Sequence, residues 1–240
     1  MLSIQNLSFT ASGEGGAKEI IKNVSLDIAE GSFVVLTGPN GGGKTTLARL
    51  IMGLEKPTGG KILLRGEDVT ALSVTERARR GVSYGFQQPP RFKGMTVYDL
   101  LRIASGRDMT RLECCDYLTR VGLCARDYVD RDMDVSLSGG EAKRIEIATI
   151  LVRGASLMIF DEPEAGIDLW SFSKLTETFG SIREKREATL IIISHQERLI
   201  SLADEIILID GGQVAARGTT DEIFPRIMGG TVSACEKLEG

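Results

Sequence analysis

The run Gly38-Pro39-Asn40-Gly41-Gly42-Gly43-Lys44-Thr45 places four glycines within six positions and closes them with an ammonium and a hydroxyl. Its spacing is GxxxxGK[ST]. Glycines leave backbone N–H groups bare, so that several can converge on phosphate oxygens. A helix starting near Lys44 would add the positive end of its dipole. Lys44 would set its ammonium between β- and γ-phosphates, and the Thr45 hydroxyl would ligate Mg²⁺. The plain alternative is a glycine-rich turn that binds nothing. The continuous apolar run Phe33 to Leu36 before it, and the helix after it, weigh against that.

Leu157-Met158-Ile159-Phe160-Asp161-Glu162 carries the second set of groups, a buried-type strand ending in two carboxylates. Acidic residues sit at many strand ends without any task. Here the first carboxylate would hold the hydration shell of a phosphate-bound Mg²⁺, and the second could polarise an attacking water. The third set is Leu137-Ser138-Gly139-Gly140-Glu141. Ser138 and Glu141 form an S-x-x-E capping box for a helix running to about Gly154. A well-capped helix would be explanation enough, were it not for two glycines in the first turn. They cost about 1 kcal/mol each relative to Ala, but they bare N–H groups to an anion. Such a second phosphate-binding helix start makes sense if it caps the nucleotide of another copy of the protein.

The elements that must position these groups read as α/β. Residues 2–9 and 20–28 alternate apolar and polar, the period of half-buried strands. Phe33–Leu36, Leu157–Phe160, Leu190–Ile193 and Ile206–Ile209 are apolar throughout, as in parallel strands covered on both faces. Residues 59–69 and 205–218 read as hairpins, the second turning at Asp210-Gly211-Gly212. Between about 90 and 135 the pattern becomes helical, with capping-box starts at Thr96/Asp99 and Thr110/Glu113. Two faces are possible on the second of these helices: Leu112, Cys115 and Leu118, or Cys114, Leu118 and Val121. The expected fold is an α/β P-loop NTPase core with an antiparallel β edge and an inserted helical subdomain. One domain spans 1–240, with a core lobe of about 1–89 and 155–240 and a helical part of about 90–154.

Bulk composition narrows the function class. Lys plus Arg is 29 and Asp plus Glu 33, a net charge of −4 that argues against wrapping nucleic acid by bulk charge. No apolar run approaches the roughly 20 residues of a membrane span. The N-terminal residues lack the basic start and apolar stretch of a signal peptide. Cys114, Cys115, Cys124 and Cys235 fit no disulfide framework, so a cytoplasmic, reducing setting is expected. Adjacent cysteines on a helix point about 100° apart and lack ligand spacing, so core packing is the expected role of Cys114 and Cys115. Trp170 and the cluster Arg77, Arg79, Arg80 are expected to be surface or packing features.

The Leu-Ser-Gly-Gly-Glu run resembles the signature of ABC-type ATPases, and the resemblance covers essentially the whole chain in that family's motif order. It implies an Mg²⁺-dependent ATPase with ATP held by Gly38, Pro39, Asn40, Gly41, Gly42, Gly43, Lys44, Thr45 and Thr46. It further implies that Ser138, Gly139, Gly140, Glu141 and Asp168 act on the nucleotide of a second copy, in an ATP-dependent homodimer. Gln87, with Gln88 beside it as the alternative, matches the glutamine that senses γ-phosphate and metal. Glu162 matches the catalytic glutamate, and His195, the only histidine, the switch histidine. Thr45, Gln87 and Asp161 would serve the metal. Two positions depart from the family pattern. Ala165-Gly166-Ile167-Asp168 lacks the usual serine, and Ala11 stands where many relatives stack an aromatic on adenine, with Phe9 nearby expected to face the core. Within the family, the string Glu141-Ala142-Lys143-Arg144-Ile145-Glu146-Ile147 looks like SufC, the SUF-type iron–sulfur cluster assembly ATPase, although Pro163 is transporter-like. The expected partners are therefore SufB/SufD-like soluble scaffold subunits, with transmembrane transporter subunits as the alternative and no nucleic acid. Arg91-Phe92-Lys93, after Gln87, lies where partner subunits dock in this family. An adaptor that binds ATP without hydrolysing it is disfavoured by the intact Glu162 and His195.

Overall fold

The computed structural model describes residues 1–13 and 16–228. The chain opens with strands β1 (Leu2–Gly13), β2 (Gly16–Ile28) and β3 (Phe33–Thr37), then helix α1 (Lys44–Met52), β4 (Gly59–Leu64), β5 (Glu67–Asp68) and α2 (Val74–Arg79). β6 (Val82–Gly85) precedes four helices, α3 (Val97–Ser105), α4 (Arg111–Arg120), α5 (Ala125–Tyr128) and α6 (Gly139–Arg153). β7 (Leu157–Asp161), α7 (Leu169–Lys185) and β8 (Thr189–Ile193) follow, and then α8 (Glu197–Ile200), β9 (Glu205–Asp210), β10 (Gln213–Thr219) and α9 (Thr220–Met228). The chain divides into two compact units, Met1–Arg80 with the segment from Ile191 onward, and Gly81–Leu190. Among the described residues no helix is long and apolar enough to cross a membrane.

In the first unit, β2-β1-β4-β5 form an antiparallel sheet. The alternation read from residues 2–9 buries Leu2, Ile4 and Leu7. It slips where the register shifts between Ile4 and Leu7, and Asn6 there has a φ of 48°, which Asn tolerates better than most residues. β3 lies parallel to β9, and β9 turns back through Gly211-Gly212 to the antiparallel β10, as the hairpin signal predicts. Every residue of β3 is buried, and Thr37 at its end is the strand's one polar side chain. Arg77 on α2 is 1% exposed, and its guanidinium donates to the carbonyls of Leu50 and Ile51 at the end of α1 and to Thr70 O and Leu72 O. A fixed cation thus satisfies carbonyls that the helix end leaves open.

In the second unit, β6 and β7 pair in parallel, each fully buried. Thr96/Asp99 and Thr110/Glu113 do form complete capping boxes, on α3 and α4. Of the two faces possible on α4, the one with Cys114, Leu118 and Val121 is buried, while Leu112 is exposed. Both α3 and α4 pack on α6. α6 buries ten of its fifteen residues, on nearly every side, so Lys143 and Glu146 are both buried. Such groups must find partners inside.

Candidate active site

In the first unit, the buried strand β3 ends at Thr37 and the chain turns sharply into α1 at Lys44. Gly38 has φ 130°, and a Cβ on it would overlap the carbonyl oxygen of Ile209 in β9, so no side chain fits. That close approach brings the loop against the β9–β10 turn, where Gly212 N donates to Gly42 O at 2.9 Å. Pro39, Asn40 and Gly41 are exposed, whereas Gly42, Gly43 and Lys44 are buried. Lys44 Nζ donates to Gly38 O at 2.6 Å and Pro39 O at 2.9 Å, inside the curve of the loop. Thr45 and Thr46 are half-buried in the first turn of α1. The helix has no side-chain cap: its N-cap is Gly43, leaving the first-turn N–H groups to the loop's own curve. His195 is exposed just past β8, after Ser194, which is fully buried. Phe9 is half-buried, not part of the core as its spacing predicts, because the register shifts of β1 continue past it; Ala11 is also half-buried.

In the second unit, Asp161 ends β7 at 1% exposure and accepts a hydrogen bond on Oδ2 from the Tyr84 hydroxyl at 2.9 Å. Glu162 follows with a φ of 49°, a left-handed backbone that costs a non-glycine residue of order 1 kcal/mol. Gln87, rather than Gln88, reaches it: Gln87 Nε2 donates to Glu162 Oε2 at 2.9 Å. The structure therefore joins two of the residues singled out in the sequence through their side chains.

Ser138 caps α6 as the capping box predicts. Its hydroxyl accepts from Glu141 N at 3.2 Å, and Glu141 Oε2 accepts from Ser138 N at 2.6 Å. The hydroxyl of Tyr128 and the Ser138 N–H hold the Glu141 carboxyl down to about 2. The two glycines of the turn differ. Gly139 is exposed and open on the side a Cβ would take, whereas a Cβ on Gly140 would overlap the carbonyl oxygen of Gly166. Gly140 is thus explained by packing, and only Gly139 is left facing open space. Asp168 caps α7, accepting from Ser171 N at 3.0 Å. Leu169 and Trp170 beside it are exposed, the indole at 86%.

Sequence reasoning missed Lys143 and Glu146 as parts of this region. Lys143 Nζ donates to Phe86 O, and to Asp161 O at 3.1 Å; Glu146 Oε1 accepts from Phe86 N at 2.9 Å. Burial pushes the Glu146 carboxyl up to about 7 and draws the Lys143 ammonium down. The available signal was two charges, i and i+3, in a helix otherwise apolar on several faces. Arg77 is structural, and Cys114 is core. Cys115 is half-buried, Cys124 is exposed, and Cys235 lies outside the described residues. No group of three or more His, Cys, Asp or Glu residues among the described residues is placed to hold a metal ion.

The ABC transporter family model matches residues 21–165. An uncharacterised ABC transporter ATP-binding protein of Methanocaldococcus jannaschii is 38% identical over 216 residues, covering 87% of this chain and 86% of that protein. The Fe(3+) ions import ATP-binding protein FbpC of Photobacterium profundum is 32% identical over 87% of the chain, which spans only 60% of its length. A dimeric ATP-binding cassette solved in a post-hydrolysis state with ADP and Pi bound shares the fold, with a TM-score of 0.83 at 24% identity, over 92% of this chain and 99% of its own.

Proposed function

This chain belongs to the ABC transporter family of ATPases, and from that footing we propose that it is the ATP-hydrolysing subunit of a membrane transporter, working through transmembrane partner subunits. The observation that carries the reading is the match, over 87% of the chain, to transporter ATP-binding proteins. The SufC-like role expected from the sequence has no support among those relatives, which favour what stood there as its alternative. The string that suggested it is also accounted for locally, since each of its charged residues has an intramolecular partner. Glu141 pairs with Ser138, Lys143 with Asp161 O, Arg144 with Gly122 O and Glu146 with Phe86 N.

In this reading Gly38–Thr46 grip the phosphates of ATP, with Lys44 exchanging loop carbonyls for phosphate oxygens. Thr45, Asp161 and Gln87 offer a hydroxyl, a carboxylate and an amide, hard oxygen donors of the kind that suit Mg²⁺. Mg²⁺ would supply charge neutralisation on the phosphates. Glu162 orients or deprotonates the attacking water, Gln87 positions Glu162 through its side-chain amide, and His195 hydrogen-bonds the γ-phosphate. Ser138, Gly139 and Glu141 complete the site of a second copy, so that two chains enclose two nucleotides. The apolar groove of about 220 Å³ lined by Tyr84, Phe86, Phe92, Ile103 and Met133, next to Gln87, is where a helix of the transmembrane partner would dock.

The test is to isolate the tagged chain from native membranes in mild detergent. An integral membrane protein is expected to co-elute, and ATP turnover should rise when the complex is placed in lipid. Recovery of a soluble iron–sulfur scaffold in its place would overturn the transporter assignment.

A further inference from the structure

Lys143 and Glu146 lie one turn apart on α6, both buried, with the side chain of Lys143 at 1% exposure. Their charged ends are 3.6 Å apart, an ion pair beyond hydrogen-bond reach, so each still needs other partners. Both find them on the same residue. Glu146 Oε1 accepts from Phe86 N at 2.9 Å, and Lys143 Nζ donates to Phe86 O, with Gln87 O at 3.4 Å. The backbone immediately before Gln87 is therefore held at its N–H and at its carbonyl by one helix. The same ammonium donates to Asp161 O at 3.1 Å, on the peptide that leads into Glu162. Gln87 and Glu162, whose side chains meet at 2.9 Å, thus project from two backbones tied to a single buried cation. Glu146 and Phe86 also line the apolar groove beside Gln87. Whatever fills that groove touches the tied residue.

We infer that Lys143 and Glu146 are positioning residues for ATP hydrolysis, which set Gln87 and Glu162 at their working separation and carry contact in the groove to that pair. The inference rests on the reading that Gln87 and Glu162 act on the nucleotide. Hydrolysis needs its groups within a fraction of an ångström, and a misplacement near 1 Å costs about a hundredfold in rate. Lys143 and Glu146 lie outside Gly38–Thr46, the loop that the reading assigns to the phosphates, so nucleotide affinity is not their task.

The test uses the protein with whatever subunits co-purify, comparing Glu146→Gln, Lys143→Met and the double variant Lys143→Met/Glu146→Met. Unfolding midpoint, nucleotide affinity, kcat and KM are measured on each. Removing one buried charge strands the other, so the single variants should lose stability. The double variant removes both and should regain it, because a buried ion pair can be exchanged for apolar side chains at little cost. Turnover should not follow: kcat is expected to stay roughly tenfold to a hundredfold low in the double variant, with affinity and KM near wild type. A double variant with wild-type kcat would overturn the inference and leave the pair a packing feature. Glu162→Gln in the same assay separates the two readings. Full turnover there would remove the role given to Glu162, whereas its loss beside an active double variant would remove only the positioning role.

Discussion

Gly139 and Gly140 are neighbours in the first turn of α6, yet a methyl group would meet open space at one and the Gly166 carbonyl at the other. Neither has a positive φ, so alanine is sterically allowed by the backbone at both. Gly139→Ala should therefore keep or slightly raise the unfolding midpoint, since Ala is the better helix former. If this turn completes the site of a second copy, as proposed, the variant should nonetheless lower ATP turnover, because the methyl group would fill the open space beside the turn. Gly140→Ala should lose about 1–3 kcal/mol of stability by forcing the Gly166 segment away. Thermal melting and turnover on the two variants check the contrast, and a stable, fully active Gly139→Ala would remove the anion-binding role. At this scale the sequence was legible where chemistry is local. Ser138 with Glu141, and Lys44 with the loop before it, follow from spacing alone. The left-handed backbone of Glu162 and the inward charges of Lys143 and Glu146 do not, because both depend on what the rest of the unit packs around them.

Among the elements, the four continuous apolar runs became β3, β7, β8 and β9, since a strand covered on both faces leaves no ambiguity of period. β6 was not placed, being only four residues long with Ser83 in its middle. α7 was not placed either, although Phe172, Leu175, Phe179 and Ile182 recur at helical spacing and are all buried. The unexpected element-level contact is Arg77, read from sequence only as a member of a basic cluster. It closes the carbonyl end of α1, the helix whose other end carries Lys44 and Thr45. Arg77→Met keeps most of the stem and deletes the donors, leaving buried carbonyls unpaired. A loss of roughly 3 kcal/mol or more is expected by denaturant unfolding, at the high end for single substitutions. A loss below about 1 kcal/mol would mean that those carbonyls find water without cost.

For the whole molecule, the fold class and the motif order were legible because this family strings its chemistry along the chain at fixed places. The partner was not, since the string that pointed to a scaffold is consumed by contacts inside the second unit. The reading of two chains around two nucleotides makes a concentration-dependent prediction. Glu162→Gln with saturating ATP and Mg²⁺ should elute in size exclusion at twice the mass of the nucleotide-free chain, and a variant that stays monomeric would refute the arrangement. Trp170 is the chain's only tryptophan and stands 86% exposed two residues after Asp168. Its ultraviolet emission is therefore that of an indole in water, with no second fluorophore of its kind to dilute it. Anything that comes to cover the start of α7 will move that emission to shorter wavelength, so the unlabelled protein carries its own optical gauge of assembly.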